Sequence, residues 1–482
     1  MSENFTDPLT VALQSGTRRI LIRDADVLTM EKNAADLPAT DVLIENGKIA
    51  AIGPNLRVDD AEIIDAAGMI LMPGMIDGHR HVWETIDVGA LVPTYHATYG
   101  KYHEWKMRIM PAMNAEDAYH AQLTGGLEAV DSGVTTLADF CHGLHTPEMA
   151  MAGAKGLVDS GVAGYFCWQI AHVLTYGLNQ TVPRSQGWND RNAPPTEMHY
   201  QTAEKLRDTY FPANDGVMRF GLALSNSSYG RSMPDVVEEF RRARTLQPAL
   251  ITHHVRSRRA NPLPLEGYFR TIKDLRDAGV MGPDYHLTHA NDWSDDELKI
   301  MAETGSKLCS APSVETVYES HLTCVHGRAA ELGVDVGLGL DQPNTFNKDF
   351  FEMLRISFWS LWRTERSAPI ARAYTSEDVL AFITRDGAKA IGLGDVTGTI
   401  TVGKRADLVL LKTERFGFPD WGTLADRVAN FANQNDVDSV WIAGRCRKKN
   451  GRMIGVDWAS LKRETRERQT RINRDAATVV IS

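Results

Sequence analysis

Cysteine is scarce in this chain. The 482 residues hold five, Cys141, Cys167, Cys309, Cys324 and Cys446, with no Cys-x-x-Cys spacing and an odd one left over. A disulfide framework is thereby excluded, and buried thiols in a reducing cytoplasm are expected. Basic charge is also short. The formal net charge is −10, whereas a nucleic-acid partner would select a basic patch. No apolar run approaches the roughly 20 residues of a membrane span, so no membrane partner is expected. The opening residues Met1–Asp7 lack the basic and apolar stretches of a secretory signal. What is present is ordinary for a globular protein, 43% apolar and 24% charged. The length allows roughly two to four domains or one large barrel.

Strand signals come first. Ile20–Arg23, Ala25–Thr29 and Asp41–Ile44 are short apolar runs, and Glu45-Asn46-Gly47-Lys48 joins the last of them to Ile49–Gly53. Asn-Gly between two apolar strands marks a hairpin, because both turn positions accept positive φ. Similar text returns at Gly398–Leu411 and in a hairpin from Val440 to Met453. The two ends are therefore expected to build one small β-sandwich from residues 1–72 and 398–482, the last of these as a tail. Residues 73–397 alternate instead. Strands Val134–Asp139, Ala163–Phe166, Met218–Ala223, Ala249–Thr252, Tyr285–Thr288, Lys307–Ser310 and Val334–Gly339 are separated by stretches of helical period. With the strand that begins at Met75 they make eight, which predicts an α/β fold, a closed (β/α)8 TIM-like barrel. A doubly wound open sheet would want a glycine-rich turn after its first strand. This chain has His79-Arg80-His81 there.

In an extended chain residues i and i+2 share a face, so His79 and His81 can offer two nitrogens to one ion. Barrel chemistry sits at the C-terminal strand ends, and those ends carry His79, His81, His253-His254, His289 and Asp341. Imidazoles with one carboxylate suit Zn²⁺ or Fe²⁺ with a position left for water. His142, closing the second barrel strand, is a candidate hydrogen-bond donor to substrate. Trp83, Tyr102 and Phe346 are aromatics beside strand ends that suit a ring-containing substrate, and Glu315 is a loop carboxylate near the same rim. Tyr95 to Trp105 reads as a loop over the pocket. Arg80, between the two histidines, faces away from them and braces the barrel.

Pro73–His81, Thr252–Val255, Leu287–Asn291, Gly339–Asp341 and Gly403–Leu408 together resemble the amidohydrolase superfamily, in particular its cytosine deaminase-like and chlorohydrolase-like branch. The resemblance implies one divalent ion per chain, zinc before iron or manganese, held by His79, His81, His254 and Asp341. It favours His254 over His253, because relatives place the ligand three residues before a glutamate, here Ser257. Asp341 would take a proton from the water. His289 would stabilise developing charge or pass a proton to the leaving nitrogen. The implied activity is cleavage of a C–N bond, of amide or cyclic amide type, in a small ring-containing substrate by metal-activated water. A serine cannot protonate a ring nitrogen, so Ser257 disfavours ordinary deamination unless Glu84, Asp292 or Glu315 substitutes. Deamination or dehalogenation with such a substitute acid is the alternative. A silent barrel acting as a binding or assembly subunit is a third reading, opposed by the intact ligand set. Met218–Ala223 holds no lysine, which disfavours a carbamylated two-metal site. A small-molecule substrate and self-association into a homo-oligomer are expected.

Overall fold

The computed structural model describes residues 19–91, 99–171, 173–225, 231–255, 271–291, 293–318, 324–364 and 367–482. The chain opens with strands β1 (Arg19–Val27), β2 (Leu37–Glu45), β3 (Lys48–Gly53), β4 (Ala61–Asp65) and β5 (Ile70–Pro73). At Gly74 it passes to β6 (Met75–Arg80), the first strand of the barrel. A Cβ on Gly74 would lie 2.1 Å from the Thr135 hydroxyl, so glycine is what lets the chain cross this close to the next strand. The chain continues through β7 (Val134–Cys141), β8 (Ala163–Gln169), a short outlying β9 (Thr181–Val182), β10 (Met218–Ala223), β11 (Leu250–His254), β12 (Tyr285–Thr288), β13 (Lys307–Ser310) and β14 (Val336–Leu338).

Eight of these form a sheet in the order β14-β13-β12-β11-β10-β8-β7-β6. The circle closes where Arg80 bridges Asp341. There the Asp341 N–H reaches the His79 carbonyl at 2.9 Å and the His81 N–H reaches the Asp341 carbonyl at 2.8 Å. The barrel's seam and the proposed ligands therefore coincide. β6, β7 and β8 are buried at every residue, as parallel strands covered on both faces must be. The helix Ala115–Asp131 starts at a capping box formed by Asn114 and Asp117. The helix Pro147–Ser160 starts at Thr146 and stops at Gly161 in the left-handed region, both regular termini.

β15 (Leu408–Leu411), β16 (Val437–Ile442), β17 (Arg445–Lys449) and β18 (Arg452–Met453) come back to the start of the chain. β15 pairs antiparallel with β5 and joins both chain ends in one nine-stranded sheet. Ile20, Ile22, Val42, Ile44, Leu408, Leu410 and Trp441 form its own buried cluster. The Asn46-Gly47 turn takes φ of 52° and 77°, as the dipeptide requires.

Two segments differ from the periodicity. The stretch after β6 is a 3-10 turn, Val82–Asp87, and a helix, Tyr99–Ile109, rather than a plain loop. The last residues are no loose tail. The helix Trp458–Ala476 lies on the barrel, where Arg468 and Arg471 clasp Asp117, and β19 (Val480–Ile481) pairs with β9. Only Ile472 and Ala476 of that helix are buried. Ion pairs hold it, so it lacks the apolar stripe by which a docked helix announces itself.

Candidate metal centre and its cavity

Asp341 is the hub. His81 Nδ1 lies 2.7 Å from the Phe140 carbonyl, which can only accept. His81 therefore keeps its lone pair on Nε2, 2.9 Å from Asp341 Oδ1. His79 Nε2 approaches the same oxygen at 3.3 Å, and His289 Nε2 approaches Oδ2 at 3.3 Å. Glu315 Oε1 holds the other nitrogen of His289 at 3.1 Å. Local backbone choices allow this crowding. A Cβ on Gly339 would lie 2.5 Å from the His79 carbonyl oxygen, so glycine lets β14 press against β6. His289 and Asp341 then take φ of 62° and 66°. Such left-handed residues cost on the order of 1–3 kcal/mol and collect at functional sites.

The residues fit a cation. Among the described residues, His79 Nε2 and Asp341 Oδ1 are buried without a hydrogen-bond partner although they nearly touch. Orphaned buried polar atoms each cost about 1–3 kcal/mol, and converging lone pairs are what a bound ion relieves. Ligand atoms of His79, His289 and Asp341 lie within 4.8 Å of one another. His254, ending β11, lines the same cavity with its ring 5.2 Å from that of His289. His253 turns away, as strand alternation requires. Its nitrogens meet the Ser225 carbonyl and the Tyr285 hydroxyl, both at 2.9 Å.

Electrostatics follow from burial and donors. Burial pushes the His81 imidazole down to about 4 against the pull of Asp341, so it is neutral at pH 7. Burial also pushes Asp341 up, but His289, His79 and His81 outweigh it and hold the carboxylate well below its usual range. Glu315 behaves likewise. Burial opposes ionisation, but His289, the Ala311 N–H at 2.8 Å and the Ser310 hydroxyl at 2.6 Å lower its pKa.

The other wall is built by His142, Tyr102 and Arg191. The His142 ring stacks on His81 at 3.8 Å. Tyr102 donates to Glu84 Oε1 at 2.6 Å and lies 2.9 Å from His142 Nε2. Trp83 and Phe346 do not line the cavity, contrary to expectation. Trp83 stacks on Trp105 and spends its indole N–H on His142 Nδ1 at 3.0 Å. Phe346 packs on the main core. Arg191, in the helix Arg184–Asn192, and Gln342 do line it, and neither stands in a pattern that marks it in the sequence. Ser257, Asp292 and Tyr95 lie outside the described residues.

The sequence pattern of the amidohydrolase family matches residues 252–447, a span that includes His254, His289 and Asp341. Over that span this chain is similar to the amidohydrolase superfamily. It is an amidohydrolase-type metal-dependent hydrolase, similar along most of its length to deaminases. It is 27% identical to a 5'-deoxyadenosine deaminase of Methanosarcina acetivorans, over 93% of this chain and 96% of the relative. It is 25% identical to a 5-methylthioadenosine/S-adenosylhomocysteine deaminase of Desulforamulus reducens, over 94% and 99%. A zinc-bound adenosine deaminase from Xanthomonas campestris shares the fold with a TM-score of 0.79 at 19% identity, over 94% of this chain and 98% of that one. A zinc complex of atrazine chlorohydrolase from Arthrobacter aurescens does so at 0.78 and 20%, over 93% and 100%.

Proposed function

We propose that this amidohydrolase is a metal-dependent hydrolase that releases ammonia from a ring carbon of a small nitrogen heterocycle, with adenine-type nucleosides as the first substrates to test. The observation that carries the reading is the convergence of His79, His81 and His289 on the Asp341 carboxylate, with two orphaned ligand atoms among them. The substrate class is supported by the deaminases to which the chain is similar along almost its whole length.

His79, His81, His254 and Asp341 would hold the ion. A divalent cation there supplies acidity to water, bringing its pKa from about 15.7 towards 7. Asp341, kept ionised by its imidazole neighbours, accepts a proton from the attacking water. His289 is held by Glu315 on one nitrogen and faces Asp341 with the other. It is placed to carry that proton to the leaving nitrogen as the C–N bond breaks. Cleavage of a cyclic amide would use the same groups. Imidazole and carboxylate donors favour zinc, and β10 offers no lysine to bridge a second ion, so one zinc per chain is part of the proposal. A cytoplasmic location is supported by five free cysteines. Self-association into a homo-oligomer is part of the proposal.

The test is ammonia release across aminopurines, aminopyrimidines, aminotriazines and cyclic amides, with zinc-loaded and chelated protein. Release from an aminoheterocycle that chelation stops and zinc restores is expected. Zinc-loaded protein that releases ammonia from none of them would sink the reading.

A further inference from the structure

Two helices outside the ring of barrel strands help to wall the cavity. Tyr99–Ile109 follows β6 and brings Tyr102, and Arg184–Asn192 follows β8 and brings Arg191. They lean on one another. Arg191 Nη1 donates to His103 Nε2 at 2.9 Å, and Arg184 pairs with Glu104. A Cβ on Gly187 would lie 2.5 Å from the Met107 sulfur, so glycine lets the second helix press against the first.

The segment 458–482 grips both helices from outside. Asn473 donates to Asp87 at 3.0 Å, and Asp87 accepts the Trp105 N–H at 2.8 Å. The Trp105 ring stacks on Tyr102 at 6.0 Å and on Trp83 at 5.4 Å. Further along, β19 pairs with β9, and the Ser482 carbonyl accepts the N–H of Arg184, where the second helix begins, at 3.1 Å. Val479 is buried with Met107 and Val182 in a small cluster apart from the main core. The same segment is fastened to the helix Ala115–Asp131 and the turn before it. Arg468 and Arg471 meet Asp117, Arg471 donates to the Ala112 carbonyl at 3.1 Å, and the Thr465 hydroxyl lies 2.7 Å from His120 Nε2. Among the described residues, none from 458–482 lines the cavity itself.

We propose that this segment is a strap that fixes the two helices to the barrel and so sets substrate affinity from outside the cavity, with Arg468 and Arg471 as the positioning residues of its hold. Only Ile472 and Ala476 of its helix are buried, so polar and charged contacts carry that hold. The Arg468 and Arg471 side chains are 19% and 33% exposed, within reach of dissolved ions. Salt screens such pairs, whereas it does not weaken apolar burial. A loosened wall weakens ground state and transition state alike, so KM rises while kcat stays. The strap goes beyond the deamination reading, since it acts on the wall whatever substrate the cavity takes.

The experiment uses full-length, zinc-loaded protein and reads amide hydrogen exchange first, which needs no substrate. Going from about 0.1 M to about 1 M NaCl shortens the Debye length from about 10 Å to about 3 Å and should speed exchange in Tyr99–Ile109 and Arg184–Asn192 about threefold or more. The barrel strands Ala163–Gln169 and Lys307–Ser310 should not change. The double variant Arg468→Met, Arg471→Met should show the fast exchange already at low salt and respond little to more. With 5'-deoxyadenosine, a neutral molecule whose own binding salt does not screen, that variant should raise KM about three- to tenfold with kcat and zinc content held. A flat salt series in wild type overturns the inference even if the variant does not fold. So does slow exchange in the variant, or a salt response that survives in full without the two arginines. Faster exchange spread through the barrel strands also overturns it, because the arginines would then prop the whole fold. If no aminoheterocycle is turned over, the deamination reading falls and the exchange measurements decide the strap alone.

Discussion

Glu315 and Glu84 flank the same cavity, one behind His289 and one behind Tyr102, and they are held in opposite ways. Burial does not separate them, since Glu315 is 2% exposed and Glu84 is 0% exposed. Glu315 receives His289, the Ala311 N–H and the Ser310 hydroxyl, and its pKa is lowered. Glu84 receives one phenol and leaves an oxygen bare, and its pKa is raised. Desolvation penalises both charges, and the supply of donors sets the direction in which each pKa moves. One wall is thereby a fixed acceptor that orients a histidine. The other can carry a proton.

The largest effects should come from the hub that the two walls share. His79→Ala and Asp341→Asn each remove a proposed ligand, so turnover should vanish and zinc content fall well below one per chain. Full zinc and activity in either variant would show the hub to be misplaced. His289→Asn probes the Glu315 wall alone. It should lose about a hundred- to ten-thousand-fold in kcat while keeping its zinc, because a proton relay is removed and not the proposed ligand set. Glu315→Gln should cost less, about ten- to a hundred-fold in activity. Its amide nitrogen must face one of three donors, which loosens His289, and wild-type rates from this variant would break the contrast between the walls.

Glu84 sharpens the contrast through stability. A carboxyl whose folded pKa lies above its unfolded value favours folding fully below the unfolded value, and that contribution is lost as pH rises through the folded pKa. Zinc-loaded Glu84→Gln should therefore gain in Tm relative to wild type on going from pH 5 to pH 9. A constant difference between the two proteins would count against the raised pKa. The smallest effect concerns what supports the Tyr102 wall. Asn473, in the C-terminal helix, donates to Asp87 at 3.0 Å, and Asp87 in turn accepts the Trp105 N–H at 2.8 Å. Asn473→Ala should lower stability by about 1 kcal/mol, read as a shift of the urea midpoint.

The two walls also differ in how far the sequence shows them. Barrel strands such as Ala163–Phe166 and Ala249–Thr252 are legible because they are short, mostly apolar runs between stretches of helical period. His79, His81, His289 and Asp341 are legible because they end such strands, where strand geometry fixes their direction. The Tyr102 wall is not. It rests on a helix between two elements, on an indole that serves His142 from behind, and on a C-terminal helix held by Arg468 and Arg471. None of these contacts has a sequence period.

The sequence by itself determined the order of elements, the pairing of the two chain ends and the residues of the hub, because each follows from a local repeat or from adjacency along a strand. Only the tertiary structure decided that His254 and not His253 lines the cavity, that Trp83 and Phe346 stand off it, and that Arg191 joins it. It also set the opposite directions in which the pKa values of Glu84 and Glu315 move, because the donors that reach a buried carboxylate come from distant segments.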